Sequence, residues 1–273
     1  RVGINYNGKE ISDARIEDFL ESGQTLIDNT LVIHKMRIAP SGASSLGDLV
    51  DSSKYRYEVT PQNKLIITFQ DPISESYILD FTSSLENKLI SNRVLNTAKL
   101  FDGSIQVSKD LTAAVSIPYG GEYVSKTGLQ NGDKINWKIA VNSGQSSLSE
   151  AEIFDRPSRN QILLMDSFHL FSMKVAVNGD LTKDVELVKG VGYTVENQTD
   201  DEGNQSFLLK FTNPISTPYV LEYQSAIVAR DQETVTNAVS FIGNNVTTIT
   251  KDTVKDIVVG VTTGSGTGNG VRG

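Results

Sequence analysis

The sequence contains no cysteine. That excludes a disulfide framework, an iron–sulfur cluster, a thiol nucleophile and a cysteine-type zinc site. Histidine is almost as scarce. His34 and His169 sit at near-matching places on a repeated segment, not in a ligand-spaced cluster, so neither a histidine metal site nor a Ser-His-Asp triad is expected. No metal and no cofactor is implied. No apolar run approaches the ~20 residues a membrane helix needs, so membrane insertion is not expected. No signal peptide is visible, and the chain opens on Arg1. Positive charge is in deficit, with 25 Lys and Arg against 33 Asp and Glu. No basic cluster stands ready to neutralise phosphates, which argues against nucleic acid as a partner. The Gly-rich tail lacks the Lys-Ser/Thr of a phosphate loop.

What the sequence does have is a repeat. Phe69-Gln70-Asp71-Pro72-Ile73-Ser74-Glu75-Ser76-Tyr77 and Phe211-Thr212-Asn213-Pro214-Ile215-Ser216-Thr217-Pro218-Tyr219 both read F-x-x-P-I-S-x-x-Y. Ile11–Asp18 aligns with Leu148–Asp155, and Val94-Leu95-Asn96 with Val235-Thr236-Asn237. The three pairs keep their order at a spacing of about 140 residues that drifts slightly, as it does when loops vary in length and strands do not. The expected domains are residues 1–118 and 119–262, followed by a Gly-rich linker, 263–273. Asn5 aligns with Asn142, so the first copy is expected to lack the segment that matches Gly121–Trp137. That would leave a sheet edge open to pairing.

Hydrophobic residues make up 38% of the chain, enough for packed cores. They alternate with polar ones in Ile135–Asn142, Tyr77–Phe81 and Tyr219–Tyr223, the period-two signature of half-buried strands. Turn signals such as Asn178-Gly179-Asp180 separate such runs. Only Ala14–Glu21 and a few short stretches read as candidate helical turns. The fold class expected is all-β: two tandem immunoglobulin-like β-sandwiches.

The alternation puts polar groups inside. Asp155 shares the inward parity of Ala151 and Ile153, and Asn237 that of Val235, Val239 and Phe241. Asp18 and Asn96 repeat this in the first copy. A buried carboxylate and a buried amide are costly unless partnered. A structural hydrogen bond between them, or an Asp capping a loop at a strand end, accounts for the pattern without any chemistry.

Lys126-Thr127-Gly128, Ile135–Asn142, Ile153-Phe154-Asp155, Tyr219–Tyr223 and Val235-Thr236-Asn237-Ala238, taken in order, resemble the collagen-binding-type (Cna-like) domains of Gram-positive cell-wall-anchored adhesins. The resemblance covers both copies. It implies an extracellular protein at the bacterial cell wall that binds a host extracellular-matrix protein such as collagen, or another surface ligand. It further implies stalk domains of the same polypeptide as neighbours, and a ligand held near Ile117–Gly128. It also implies an amide cross-link, with Lys126 as the amine, Asn237 as the electrophile and Asp155 as the proton shuttle. Asp18 and Asn96 hold the equivalent positions in the first copy, whose lysine would lie in the segment expected to be absent. Apart from that self-reaction no enzymatic activity is implied. The rival reading is a stalk module with no ligand of its own; a lectin-like β-protein is weaker.

Overall fold

The computed structural model describes residues 1–261; the predicted linker, 263–273, lies outside the described residues. The chain divides into two units, Arg1–Ile117 and a second that starts at Pro118. In chain order the first holds β1 (Val2–Ile4), β2 (Ala14–Leu20), β3 (Thr25–Leu26), β4 (Val32–Ile38), β5 (Ser44–Leu49), β6 (Tyr55–Val59), β7 (Lys64–Phe69), β8 (Tyr77–Asp80), β9 (Ser83–Ser84), β10 (Arg93–Asp102), β11 (Ile105–Gln106) and β12 (Leu111–Ser116). The second holds β13 (Val124–Asn131), β14 (Lys134–Val141), β15 (Ser149–Pro157), β16 (Gln161–Val175), β17 (Leu181–Glu186), β18 (Tyr193–Thr199), β19 (Gln205–Phe211), β20 (Tyr219–Ile227), β21 (Thr234–Asn244) and β22 (Thr248–Val258).

Each unit is a sandwich of two antiparallel sheets, and the first adds a separate two-stranded ladder, β3-β9. In the second, one sheet runs β13-β14-β20-β16-β17 and the other β18-β19-β15-β21-β22. In the first, one sheet runs β1-β8-β4-β5; the other runs β6-β7-β2-β10, with β11 and β12 both paired to β10. The period-two pattern does the sorting. One face of each strand supplies the core, as with Ile16, Ile33, Leu65, Ile67 and Leu79 in the first unit and Trp137, Ile153, Leu170, Phe207 and Phe241 in the second. Each such side chain contributes roughly 1.5–3 kcal/mol by leaving water.

Within Ala14–Glu21, a candidate helical turn from the sequence, Ala14–Leu20 is strand β2. Its apolar residues recur every second position, and it is paired on both sides, with β7 and β10. Ladder bonds on two edges outweigh a weak local preference for helix. Of the segment read as a candidate helical turn, Ala14–Glu21, its last residue alone enters a 3-10 turn, Glu21–Gly23.

The register around the inward polar residues is the same in both units. Asp18 lies opposite Ala98 and Asn96 opposite Leu20; Asp155 lies opposite Val239 and Asn237 opposite Pro157. The units differ at one edge. β14 is flanked by β13 and β20, whereas β1, which pairs with β8 as β14 does with β20, is the edge of its sheet.

Candidate functional site

Lys126 sits on edge strand β13, Tyr223 on β20 of the same sheet, and Asp155 and Asn237 on β15 and β21 of the facing sheet. The four side chains meet between the sheets. Lys126 Nζ donates to a carboxyl oxygen of Asp155, Oδ2, and to Tyr223 Oη at 2.7 Å. Tyr223 Oη donates to the same Asp155 oxygen at 3.0 Å and accepts from Asn237 Nδ2 at 2.9 Å. The side chains of Lys126 and Asp155 are 0% exposed. Two oxygens in this cluster, Asp155 Oδ1 and Asn237 Oδ1, have no hydrogen-bond donor although both are buried.

The walls are aromatic. The Lys126 amine stands 5.2 Å from the Trp137 ring centre and 5.3 Å from that of Tyr223. Phe168 stacks on Tyr223, and Phe207 meets it edge-on. In such surroundings charge is disfavoured. Burial pushes the Lys126 amine down to about 8 against the pull of Asp155, and raises the Asp155 carboxyl against the pull of Lys126. Burial also raises the Tyr223 hydroxyl far above its usual range, so it remains a phenol. A buried amine next to a buried carboxyl, both driven toward their neutral forms, is the pairing that nucleophilic and general-acid chemistry need.

Close approach makes room for the lysine. A Cβ on Gly128 would stand 2.5 Å from Trp137 Cζ3 and 2.6 Å from Ile257 Cδ1, so only glycine lets β13 lie over the indole. The indole N–H donates to Ser225 Oγ at 2.8 Å and to Gln161 Oε1 at 3.2 Å. Gly128→Ala is expected to cost about 1–3 kcal/mol by forcing strand and indole apart. Urea unfolding checks this; an unchanged midpoint would mean that the indole moves aside freely.

Strand parity placed Asp155, Asn237 and Asp18 inward, and all three are at most 1% exposed. Asn96 is only half-buried because it faces an open groove. It donates from Nδ2 to Asp18 Oδ2 at 2.8 Å, and burial raises the Asp18 carboxyl. Tyr223, Gln161 and Ser225 were not singled out from sequence. One signal was available for Tyr223: the first copy has Phe81 at that position, so the hydroxyl belongs to the copy that also has the lysine. Among the described residues no group of acidic or histidine side chains is arranged to hold a metal ion.

The model of the family described as the collagen binding domain matches residues 1–110 and again residues 121–252. The chain belongs to the collagen-binding domain family. The two matches fall one on each sandwich, so each unit is a copy of the family's domain. Solved structures similar to this family member include Enterococcus faecalis ACE, described as an MSCRAMM that binds its ligands by the collagen Hug model. It is 14% identical, with 93% of this chain and 91% of that chain covered and a TM-score of 0.40. The collagen-binding domain of Erysipelothrix rhusiopathiae surface protein RspB is 11% identical over 89% of this chain and 80% of that one, with a TM-score of 0.39. The collagen-binding domain of a Staphylococcus aureus adhesin is 12% identical over 50% of this chain and 97% of its own, with a TM-score of 0.36. A sequence search of curated proteins gave no match.

Proposed function

We propose that this region binds collagen or a related matrix protein as part of a cell-wall-anchored Gram-positive adhesin, and that its second unit is stapled by an amide bond between Lys126 and Asn237. Membership of the collagen-binding domain family across both units supports the adhesive part. The observation that carries the cross-link is the enclosed cluster of Lys126, Asp155, Tyr223 and Asn237.

The two undonated oxygens support the protonation state the reaction requires. The Tyr223 hydroxyl links the two residues, donating to Asp155 and accepting from Asn237 Nδ2. An ionised Asp155 offers no donor to Asn237 Oδ1. A protonated one has an O–H to give it, which satisfies both oxygens at once. The proton comes from Lys126, leaving a neutral amine. The amine adds to Asn237 Cγ while Asp155 protonates the carbonyl oxygen. Asp155 then takes a proton from the added nitrogen, passes one to the departing Nδ2, and takes back the hydroxyl proton as the carbonyl reforms. One Nζ–Cγ bond forms, one Cγ–Nδ2 bond breaks, and ammonia leaves. The Tyr223 hydroxyl holds the amine beside the amide throughout.

Adhesion is tested by passing the chain over immobilised triple-helical collagen, heat-denatured collagen and fibronectin. Saturable binding to the triple helix is expected. No binding to any matrix protein would leave a spacer role in its place.

A further inference from the structure

An amide nitrogen departs only as ammonia, because the unprotonated amide anion is far too basic to leave. A proton must therefore travel from the newly added nitrogen, Lys126 Nζ, to Asn237 Nδ2 inside an enclosed site. The hydrogen bonds of the cluster lay out its route. Lys126 Nζ donates to Asp155 Oδ2 and to Tyr223 Oη, Tyr223 Oη donates to Asp155 Oδ2, and Asn237 Nδ2 donates to Tyr223 Oη. Whichever way the proton leaves Nζ, it arrives at the tyrosine oxygen before it arrives at Nδ2.

That oxygen is placed for the task. A phenol has one O–H and two lone pairs, and the three partners of Tyr223, at 2.7, 2.9 and 3.0 Å, use all of them. The residue is 2% exposed. Phe168 stacks on its ring at 5.0 Å, Phe207 meets it edge-on at 5.2 Å, and Trp137 lies opposite it on β14. The hydroxyl is therefore held against both reacting nitrogens. Burial keeps it a phenol, so it cannot act by giving up a proton and waiting as phenolate. Gaining one proton as it gives another avoids that state. The two ends of the Asp155 carboxyl divide the remaining work. Oδ2 touches Lys126 and Tyr223, whereas the undonated Oδ1 is left for the Asn237 carbonyl oxygen.

We infer that Tyr223 is a catalytic residue of the self-reaction, whose hydroxyl relays the proton from Asp155 to the departing nitrogen of Asn237. The inference rests on the cross-link proposed above and adds a fourth working group to it. Once Lys126 Nζ has bonded to Asn237 Cγ, it gives a proton to Asp155 Oδ2. Oδ2 passes that proton to Tyr223 Oη while Oη passes its own to Nδ2. The Cγ–Nδ2 bond breaks, its electron pair leaves with ammonia, and the hydroxyl proton on the former carbonyl oxygen returns to Asp155 Oδ1 as the carbonyl reforms. Phenol and carboxyl end as they began, and no oxidant or cofactor is involved.

The test refolds the full chain from denaturant, collected unfolded before it can react, and follows intact mass with time. Trp137 is the chain's single tryptophan and lies at the site, so its fluorescence times folding separately from the chemistry. The wild-type chain is expected to lose ~17 Da after folding, with a rate that falls along a curve as heavy water replaces light, because two protons move together in the relay. Tyr223→Phe is expected to reach the folded fluorescence and to lose ammonia at least tenfold more slowly, as for a lost general acid, with any remaining reaction falling along a straight line. Slowing of less than tenfold overturns the inference and leaves the cross-link standing. Slowing with a straight line already in the wild-type chain also overturns it, and reduces Tyr223 to holding the amine in place. If Tyr223→Phe does not fold, the wild-type line decides alone: curved supports the relay and straight rejects it. A wild-type chain that folds and keeps its full mass rejects the cross-link and the relay together.

Discussion

The intact chain is expected to weigh ~17 Da less than its sequence requires, because closing the Lys126–Asn237 amide expels one ammonia. Asp155→Ala is expected to restore the full mass and lower the melting temperature of the second unit. The bond closes a loop of roughly 110 residues, and if it restricts the unfolded chain as a disulfide does, it contributes on the order of 4–5 kcal/mol. For a unit of this size that corresponds to roughly 10–20 °C. The placement of the bond adds a mechanical effect. Lys126 is on the edge strand of one sheet and Asn237 on the facing sheet, so the proposed bond would tie the sandwich across its core. Tension applied at the unit's ends would pass through it and spare the strands between. Full mass in the wild-type chain would refute the cross-link; ammonia loss in Asp155→Ala would remove Asp155 from the role of proton shuttle.

The parts of this site that were legible in the sequence are those on strands with a strong alternating pattern. Asp155 follows Ala151 and Ile153 at even steps, and all three are buried. Asn237 sits between Val235 and Val239 in the same way. β13 has no such pattern. Around Lys126 the inward neighbours are Val124 and Gly128, and the strand's largest apolar residue, Leu129, is 72% exposed. Parity says nothing there, and Lys126 was reached through family resemblance alone. Tyr223 was hidden for the opposite reason. Its parity is clear, but a tyrosine on a core face reads as packing until the partner of its hydroxyl is seen. The Gln161–Ser225 pair belongs to two strands far apart in sequence, and only the ladder between β16 and β20 brings them together. The division into two units follows from the repeat because it rests on order and spacing, not on side-chain direction.

Removing the lysine should do more damage than removing the asparagine. Asn237→Ala forfeits the bond but leaves Lys126 and Asp155 paired. Lys126→Met forfeits the bond and also strips the cation from a carboxyl that is fully enclosed. Removing one partner of a buried pair typically costs about 3–5 kcal/mol, because the other charge is left uncompensated. That second cost depends on pH. Burial raises the Asp155 carboxyl even with Lys126 opposing it, and without Lys126 the opposition is gone. A carboxyl whose affinity for protons is higher folded than unfolded stabilises the fold at low pH, and that contribution is lost as pH rises through its folded value. Lys126→Met is therefore expected to gain stability when acidified from pH 8 toward pH 5. Lys126→Met with Asp155→Leu removes the titrating group and fills the site with apolar volume. That pair of changes should be more stable than Lys126→Met alone at pH 8, and its urea midpoint should lose the pH-dependent gain. A Lys126→Met midpoint that does not move with pH would mean that Asp155 finds solvent once its partner is gone, and that the enclosure depends on the lysine itself.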